Sequence, residues 1–266
     1  MEFRDAHTVS EKVHGQVDQV CRVWLKHLKH RLVGVYLHGS LALGSFVEDA
    51  SDLDILVVTE ARLSRRERLS IARDVLAIDQ KPCPLEISAL WLQQIFPWQY
   101  PTPCQFHYSS LWTEHYRRLL GGEIQNSFLV EEDFTDTDMA CHVRLAGQSG
   151  LCVYGRPIHE VFPPVPEQDF WDSISRDIGG CSFDDPQPKT YAANILTLAR
   201  VLSYKKEKRI LSKVDGARWA LGYVPEKLRY LLENAVQIWY AGAEKCGYDA
   251  EDVRELQRFL MDEIRN

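Results

Sequence analysis

Two carboxylates one residue apart, Asp52 and Asp54, lead into the apolar run Ile55-Leu56-Val57-Val58, and a glycine-serine turn, His38-Gly39-Ser40-Leu41-Ala42-Leu43-Gly44, precedes them. Residues two apart on a strand project to one face, so Asp52 and Asp54 are expected to point together. Such a pair repels itself unless a cation lies between, and Mg²⁺ takes oxygen ligands partly from protein and partly from phosphate. Gly39 lets the chain turn, and Ser40-Leu41-Ala42 then opens a short helix. Its free N–H groups, the Ser40 hydroxyl and the positive end of its dipole suit the β- and γ-phosphates of a nucleotide, with Gly44 allowing close approach. Glu86 is the lone charge in Pro84-Leu85-Glu86-Ile87-Ser88-Ala89-Leu90, where burying it without a purpose is costly. Beside the aspartate strand it would accept the proton of an attacking hydroxyl or help hold a second Mg²⁺.

These residues need strands and helices to carry them. Val33 to Leu37, Leu53 to Val58, Pro84 to Leu90 and the stretch near Gln105 to Tyr108 read as strands. Val9 to Lys29, Ser64 to Ile78, Trp112 to Leu119 and Asp138 to Ser149 read as helices. The proline-rich stretch from Pro157 to Pro166 punctuates the chain. Beyond it the pattern is helical, over Tyr191 to Tyr204, Lys213 to Leu221, Glu226 to Ala241 and Glu251 to Ile264. The expectation is a catalytic domain over 1–157 and a helical domain over 158–266, with the site in the cleft between them. Two rival phosphate motifs fail: Ser45-Phe46 stands where a Walker A loop needs Lys-Ser/Thr, and no Gly-x-Gly-x-x-Gly occurs.

Composition narrows the classes. The 266 residues are 45% hydrophobic and 26% charged, an ordinary balance for one large or two modest domains. The N-terminus lacks a signal-peptide layout and no long apolar segment is present, so a cytoplasmic protein without membrane association is expected. Seven cysteines, at 21, 83, 104, 141, 152, 181 and 246, are odd in number and form no Cys-x-x-Cys pair, against a disulfide framework or a structural zinc site. The net charge of −7 and the absence of a Lys/Arg stripe argue against nucleic acid as a partner and suit a small cationic acceptor. A monomer is expected.

Gly39-Ser40, Gly44 and Ser51-Asp52-x-Asp54 resemble the signature of the DNA polymerase β-like nucleotidyltransferases. Further stretches, in order, are similar to the aminoglycoside adenylyltransferases of the streptomycin/spectinomycin type. They are Leu85-Glu86-Ile87, Phe96-Pro97-Trp98-Gln99-Tyr100-Pro101, Gly155-Arg156-Pro157, Phe162-Pro163-Pro164-Val165-Pro166-Glu167-Gln168-Asp169, Asn194-Ile195-Leu196-Thr197-Leu198-Ala199-Arg200 and Lys213-Val214-Asp215-Gly216-Ala217-Arg218-Trp219-Ala220. The resemblance implies an α/β (α+β) nucleotidyltransferase domain with a mixed sheet, followed by an all-α helical-bundle domain. It implies transfer of AMP from Mg-ATP to a hydroxyl of spectinomycin and/or streptomycin, conferring antibiotic resistance. Asp52, Asp54 and Glu86 then serve Mg²⁺ and catalysis, with Glu86 as base. Gly39, Ser40, Ser51, Arg200 and Lys213 contact the nucleotide, and Glu86, Trp112 and Asp138 the acceptor.

Several of these residues have plainer roles open to them. Arg200 and Lys213 fit solvated helix faces, and Asp138 fits the N-cap of its helix. His38 is either a phosphate contact or a hydrogen-bonded group ending its strand. An ungapped reading puts Leu111 at the family's acceptor tryptophan, while a slip of one residue puts Trp112 there. The acidic positions ahead of Arg200 fall on Pro186 and Thr190, with Asp184 and Asp185 nearby. Spectinomycin, which lacks guanidinium groups, therefore ranks ahead of streptomycin. Two alternatives stand beside this reading: a nucleotidyltransferase acting on another small molecule or a protein hydroxyl, and a non-catalytic nucleotide-binding module. Asp52, Asp54 and Glu86 together weigh against the second, since binding alone needs no base.

Overall fold

Apolar residues at helical and at alternating spacing sort this chain into the elements seen in a computed structural model, which describes residues 9–48, 50–181, 187–241 and 248–266. The chain runs α1 (Glu11–Leu28), β1 (Leu32–Leu37), α2 (Gly39–Ala42), β2 (Leu53–Thr59), α3 (Arg65–Ile78), β3 (Leu85–Trp91), α4 (Leu92–Ile95), β4 (Thr102–Cys104) and β5 (Phe106–Tyr108). It continues through α5 (Thr113–Leu120), α6 (Phe128–Glu131), β6 (Phe134–Asp136), α7 (Met139–Ser149), β7 (Leu151–Gly155), α8 (Ile158–Val161) and α9 (Glu167–Gly179). The last helices are α10 (Pro188–Glu207), α11 (Lys213–Ala220), α12 (Arg229–Ala241) and α13 (Ala250–Arg265).

Two compact units result, residues 1–170 and 171–266. They part within α9 rather than in the proline-rich stretch where the sequence places the boundary. The first turn of α9 is tied to the first unit: Trp98 Nε1 donates to Asp169 Oδ2 at 2.8 Å, and the Arg144 guanidinium lies 4.6 Å over the Phe170 ring.

The first unit is built on a mixed five-stranded sheet of order β5-β3-β2-β1-β7. β1 is antiparallel to β2 and β7, β2 and β3 are parallel, and β5 closes the far edge antiparallel to β3. The parallel pair needs a crossover, which α3 supplies. That helix starts on a capping box: Ser64 Oγ accepts from Glu67 N, and the Glu67 carboxylate accepts from Ser64 N. One face of the sheet, with Leu53, Ile55, Val57, Leu85, Ile87 and Ala89, packs on the apolar stripes of α1 and α3. The other face, with Tyr36, Leu56, Val58 and Leu90, packs on Met139, Val143 and Ala146 of α7. Period-two alternation therefore places Asp54 and Glu86, in phase with Leu56 and Leu90, on the α7 side. β4 and β6 form a separate two-stranded ladder.

β7 answers to no strand in the sequence reading. It is an edge strand, half-exposed along its length and broken in register between Val35 and Tyr36 of β1, so it carries no alternating pattern. The described cysteines are all free thiols, and Cys246 lies outside the described residues. No helix among the described residues is long and apolar enough to cross a membrane.

The second unit is all-α. α10 buries Ile195, Leu198, Ala199 and Leu202, α12 buries Leu231, Leu232, Ala235 and Ile238, and α13 buries Val253, Leu256, Leu260 and Ile264. Each set recurs three or four residues apart, the stripe of a helix packed on helices. Gly216 lets α11 lie against α10: a Cβ there would stand 2.6 Å from the Arg200 Cα.

Candidate active site

The end of β1 is fastened to the start of β2. His38 N donates to Asp54 O at 3.0 Å, and Gly39 then turns with φ +63°. A Cβ on Gly39 would lie 1.8 Å from Asp54 Oδ2, so both the backbone angle and the space require glycine. The Ser40 N–H donates to the Asp54 carboxylate. Leu43 N and Ser45 N close the turn onto Gly39 O and Ser40 O at 3.0 and 2.9 Å. Ser51 is buried and holds the following loop: its Oγ accepts from Val47 N at 3.0 Å, and its own N–H donates to Val47 O at 2.7 Å.

Glu86 is delivered opposite Asp54 by register, as Leu53 to Thr59 pair with Leu85 to Trp91 and Asp54 faces Glu86. Two buried polar side chains set that register. Gln16 of α1 donates to Cys83 O and Ile78 O at 2.7 and 3.0 Å and accepts from Cys83 N at 3.0 Å. Asp79 accepts from Leu85 N at 2.9 Å and from the Tyr108 hydroxyl at 2.8 Å.

The electrostatics follow from this crowding. Burial, then the charge of Glu86, then that of Asp52, push the Asp54 carboxyl up to about 7, while His142 and the Ser40 N–H pull the other way. His142 is the group the sequence reading missed. Burial alone would push its pKa down, but Asp138, through charge and hydrogen bond, and then Glu86 and Asp54, push it up to about 10. Its Nε2 donates to Asp138 Oδ2 at 3.0 Å and lies 3.9 Å from Glu86 Oε1. Its ring meets that of His38 edge-on at 4.8 Å. Burial and the positive His142 hold His38 well below the usual histidine range, and burial foremost lowers His107, which is hydrogen-bonded to Ser88 Oγ at 3.0 Å. The signal for His142 was present: Asp138 and His142 are four apart on a helix, a spacing that puts them on one face.

Asp52, Asp54 and Glu86 offer hard oxygen donors, the chemistry that suits Mg²⁺. Among the described residues no three His, Cys, Asp or Glu side chains converge as a metal cage of their own.

Other sequence candidates fall in different places. Asp138 stands at the N-cap of α7 but makes no side-chain cap hydrogen bond, bonding His142 instead. His38 does not end its strand as a fully hydrogen-bonded group, because its Nδ1 is buried with no partner. Trp112 packs edge-on against His115 and Phe128 and joins the core on the α1/α3 side of the sheet, the face opposite Asp54 and Glu86; Leu111 is 90% exposed. In the second unit, Lys213 Nζ lies 4.6 Å from the centre of the Trp239 ring, and Arg200 and Lys213 both act on the Cys181 thiol, so they belong to one neighbourhood. Thr190 stands in the first turn of α10, whereas Asp184, Asp185 and Pro186 lie outside the described residues.

A mixed sheet that sets a glycine-serine turn against an aspartate pair, with a third carboxylate in register, defines a nucleotidyltransferase. Residues 19–100 match the family described as "Nucleotidyltransferase domain", and residues 160–263 match "Aminoglycoside adenylyltransferase, C-terminal domain". With both halves matched, the chain is similar to the aminoglycoside adenylyltransferases along most of its length. An aminoglycoside (3'') (9) adenylyltransferase of Klebsiella pneumoniae is 25% identical over 266 residues, 96% of each chain. A spectinomycin 9-adenylyltransferase of Staphylococcus aureus is 28% identical over 240 residues, 86% of each. The fold is shared with the spectinomycin adenyltransferase AAD(9) of Enterococcus faecialis, whose crystal structure holds ATP and spectinomycin. That match has a TM-score of 0.79 and 21% identity, and covers 95% of this chain and 99% of that one.

Proposed function

We propose that this enzyme transfers AMP from Mg-ATP to a hydroxyl of spectinomycin, and less readily of streptomycin, and so confers resistance to them. The observation that carries the reading is Glu86 in register with Asp54, beside the Gly39-Ser40 turn, with Asp52 near enough for its charge to act on Asp54. The names of the relatives in Klebsiella pneumoniae and Staphylococcus aureus, and the ATP and spectinomycin bound by the Enterococcus enzyme, support the substrates.

The chain's residues divide the work. Gly39 presents its backbone N–H and Ser40 its hydroxyl to the triphosphate, the Ser40 N–H being bonded to Asp54, while Ser51 keeps the loop that carries Asp52 closed against Val47. Asp52 and Asp54, with Glu86, would hold Mg²⁺, which when bound supplies positive charge against the triphosphate and the leaving pyrophosphate. Glu86 accepts the proton of the drug hydroxyl as that oxygen forms its bond to the α-phosphorus; the bond from the α-phosphorus to the bridging oxygen breaks, and pyrophosphate leaves with the electron pair. Arg200 and Lys213 are proposed as further positive charge for the triphosphate, and Asp138 as an acidic contact for the acceptor. Asp138 is already paired with His142, which leaves less free negative charge for a strongly cationic drug and favours spectinomycin. Trp112, on the opposite face of the sheet, has less support as an acceptor contact than Asp138.

Purified enzyme with ATP, Mg²⁺ and each drug tests this by pyrophosphate release and by mass spectrometry of the drug. The expected outcome is a drug that has gained one AMP, faster with spectinomycin. Pyrophosphate release with other acceptors and with neither drug would overturn it.

A further inference from the structure

Beyond Glu86, two polar residues on the same face of the sheet have no task in the transfer as drawn above. Ser88 follows Glu86 by two residues on β3, so its side chain projects to the same face, and it is buried in an otherwise apolar stretch. His107 stands directly opposite it on β5, the edge strand. Alternation along β5 settles which way this histidine points. Phe106 and Tyr108 are buried in the core against α1 and α3, so His107, between them, projects to the other face, where Asp54 and Glu86 stand. It is only half-buried there, although both its neighbours are wholly enclosed. Glu86, Asp136 and Asp138 lie close enough for their charges to act on it.

The ring is held in one orientation. Ser88 Oγ is hydrogen-bonded to Nδ1 at 3.0 Å, and the Tyr116 hydroxyl donates to His107 O at 2.6 Å, which pins the backbone of the edge strand. Among the described residues the serine bond is the ring's only hydrogen bond, so Nε2, turned away from Ser88, keeps its capacity for another. A hydroxyl both donates and accepts, and therefore satisfies Nε2 in either tautomer. Two residues of strand rise set Ser88, and His107 opposite it, about 6.6 Å along the sheet from Glu86. A ring bearing several hydroxyls spans that distance, with one oxygen at the Glu86 carboxylate and a second at Nε2.

We propose that His107 is an acceptor-binding residue: held by Ser88, it presents Nε2 to a second oxygen of the drug while the reacting hydroxyl meets Glu86. The inference rests on the proposed transfer and deepens it, because it places the acceptor on the β5 side of Glu86. It gives His107 no contact with the nucleotide.

Two substitutions that reproduce different halves of the ring test it, with spectinomycin as the acceptor. Asparagine puts a polar atom near the Nδ1 position and leaves Ser88 a partner, whereas glutamine reaches the Nε2 position. His107→Asn should raise KM for spectinomycin roughly fivefold, the scale of one lost hydrogen bond between neutral groups. Its kcat, and its ATP dissociation constant by calorimetry, should stay within about twofold, because the lost contact is made equally before and during the transfer. His107→Gln should keep KM within about twofold of the unaltered enzyme. A histidine that only braces Ser88 gives the reverse order. That reverse order, equal effects in the two variants, or a loss of ATP affinity as large as the rise in KM overturns the inference. Should either variant fail to fold, a crystal structure of the unaltered enzyme with spectinomycin and a non-hydrolysable ATP analogue decides: a drug oxygen within about 3.2 Å of Nε2 supports the inference, and none there overturns it. An unaltered enzyme that turns over neither drug overturns the proposed function and this inference together, whereas turnover with KM unmoved in His107→Asn overturns the inference alone.

Discussion

The first unit contains two acidic centres with opposite electrostatic character. Asp133 opposes burial with partners: Arg68, Arg62 and Gln94 all donate to its carboxylate and hold it below the usual aspartate range. Arg68 is itself buried and also donates to Glu132 O at 2.6 Å and Leu63 O at 3.3 Å. Asp54 also opposes burial, but its carboxylate neighbours add to the strain and push it up to about 7. A structural acid is thus matched by fixed cations, whereas the Asp54 centre sets a single histidine, His142, against several carboxylates, as the proposed cation site would.

The largest effect that would break this contrast is in activity. Asp54→Asn should abolish Mg²⁺-dependent turnover while the folded protein persists, checked by pyrophosphate release and circular dichroism. Normal turnover would remove Asp54 from the metal site. Glu86→Gln comes next, with kcat falling by roughly 10²-fold or more and ATP binding nearly unchanged by calorimetry. A parallel loss of ATP affinity would instead make Glu86 chiefly a metal ligand.

Arg68→Leu should show the reverse profile. Removing one partner of a buried pair costs about 3 kcal/mol, or roughly 6–12 °C of melting temperature in a domain of this size, with kcat per folded molecule retained. A fall in kcat without a fall in melting temperature would erase the distinction between the two centres.

The smallest effect is in pH dependence. Asp54 is raised when folded, so its contribution to stability is complete below about 3.8 and is lost as pH rises through about 7. His142 is also raised, and its contribution, complete below 6.5, is lost as pH rises through about 10. Asp133 is lowered, and its contribution, present above 3.8, is lost as pH falls through its folded value. Without Mg²⁺, the melting temperature should therefore decline from pH 5 to pH 8, and Asp54→Asn should lie roughly 4 °C above the unaltered protein at pH 8. Equal melting curves for the two across that range would show that Asp54 is not strained.

The glycine-serine turn, the aspartate pair and Glu86 were legible as candidates from residue type and spacing. Each breaks a local pattern: a glycine at a forced turn, Asp52 just ahead of an apolar strand, and Asp54 and Glu86 inside such strands. The helices of the second unit were legible for the complementary reason, since their apolar residues recur three or four apart over several turns. β7 was not, because an edge strand exposed on one side need not alternate. Trp112 shows the same limit, as a tryptophan reads alike whether it fills a core or lines a site.

By itself, the sequence determined which side chains carry groups able to do chemistry, because residue type fixes that, and that alternate residues of β2 share a face, because backbone period fixes it. Tertiary structure decided that Glu86 lies in register with Asp54, through Gln16 and Asp79 holding the loop before β3. It also decided that Asp138 bonds His142 instead of capping its helix, and that His142 stands among three carboxylates drawn from two strands and its own helix. Protonation there depends on burial and on charges distant in sequence, and both arise only once α7 packs across the sheet.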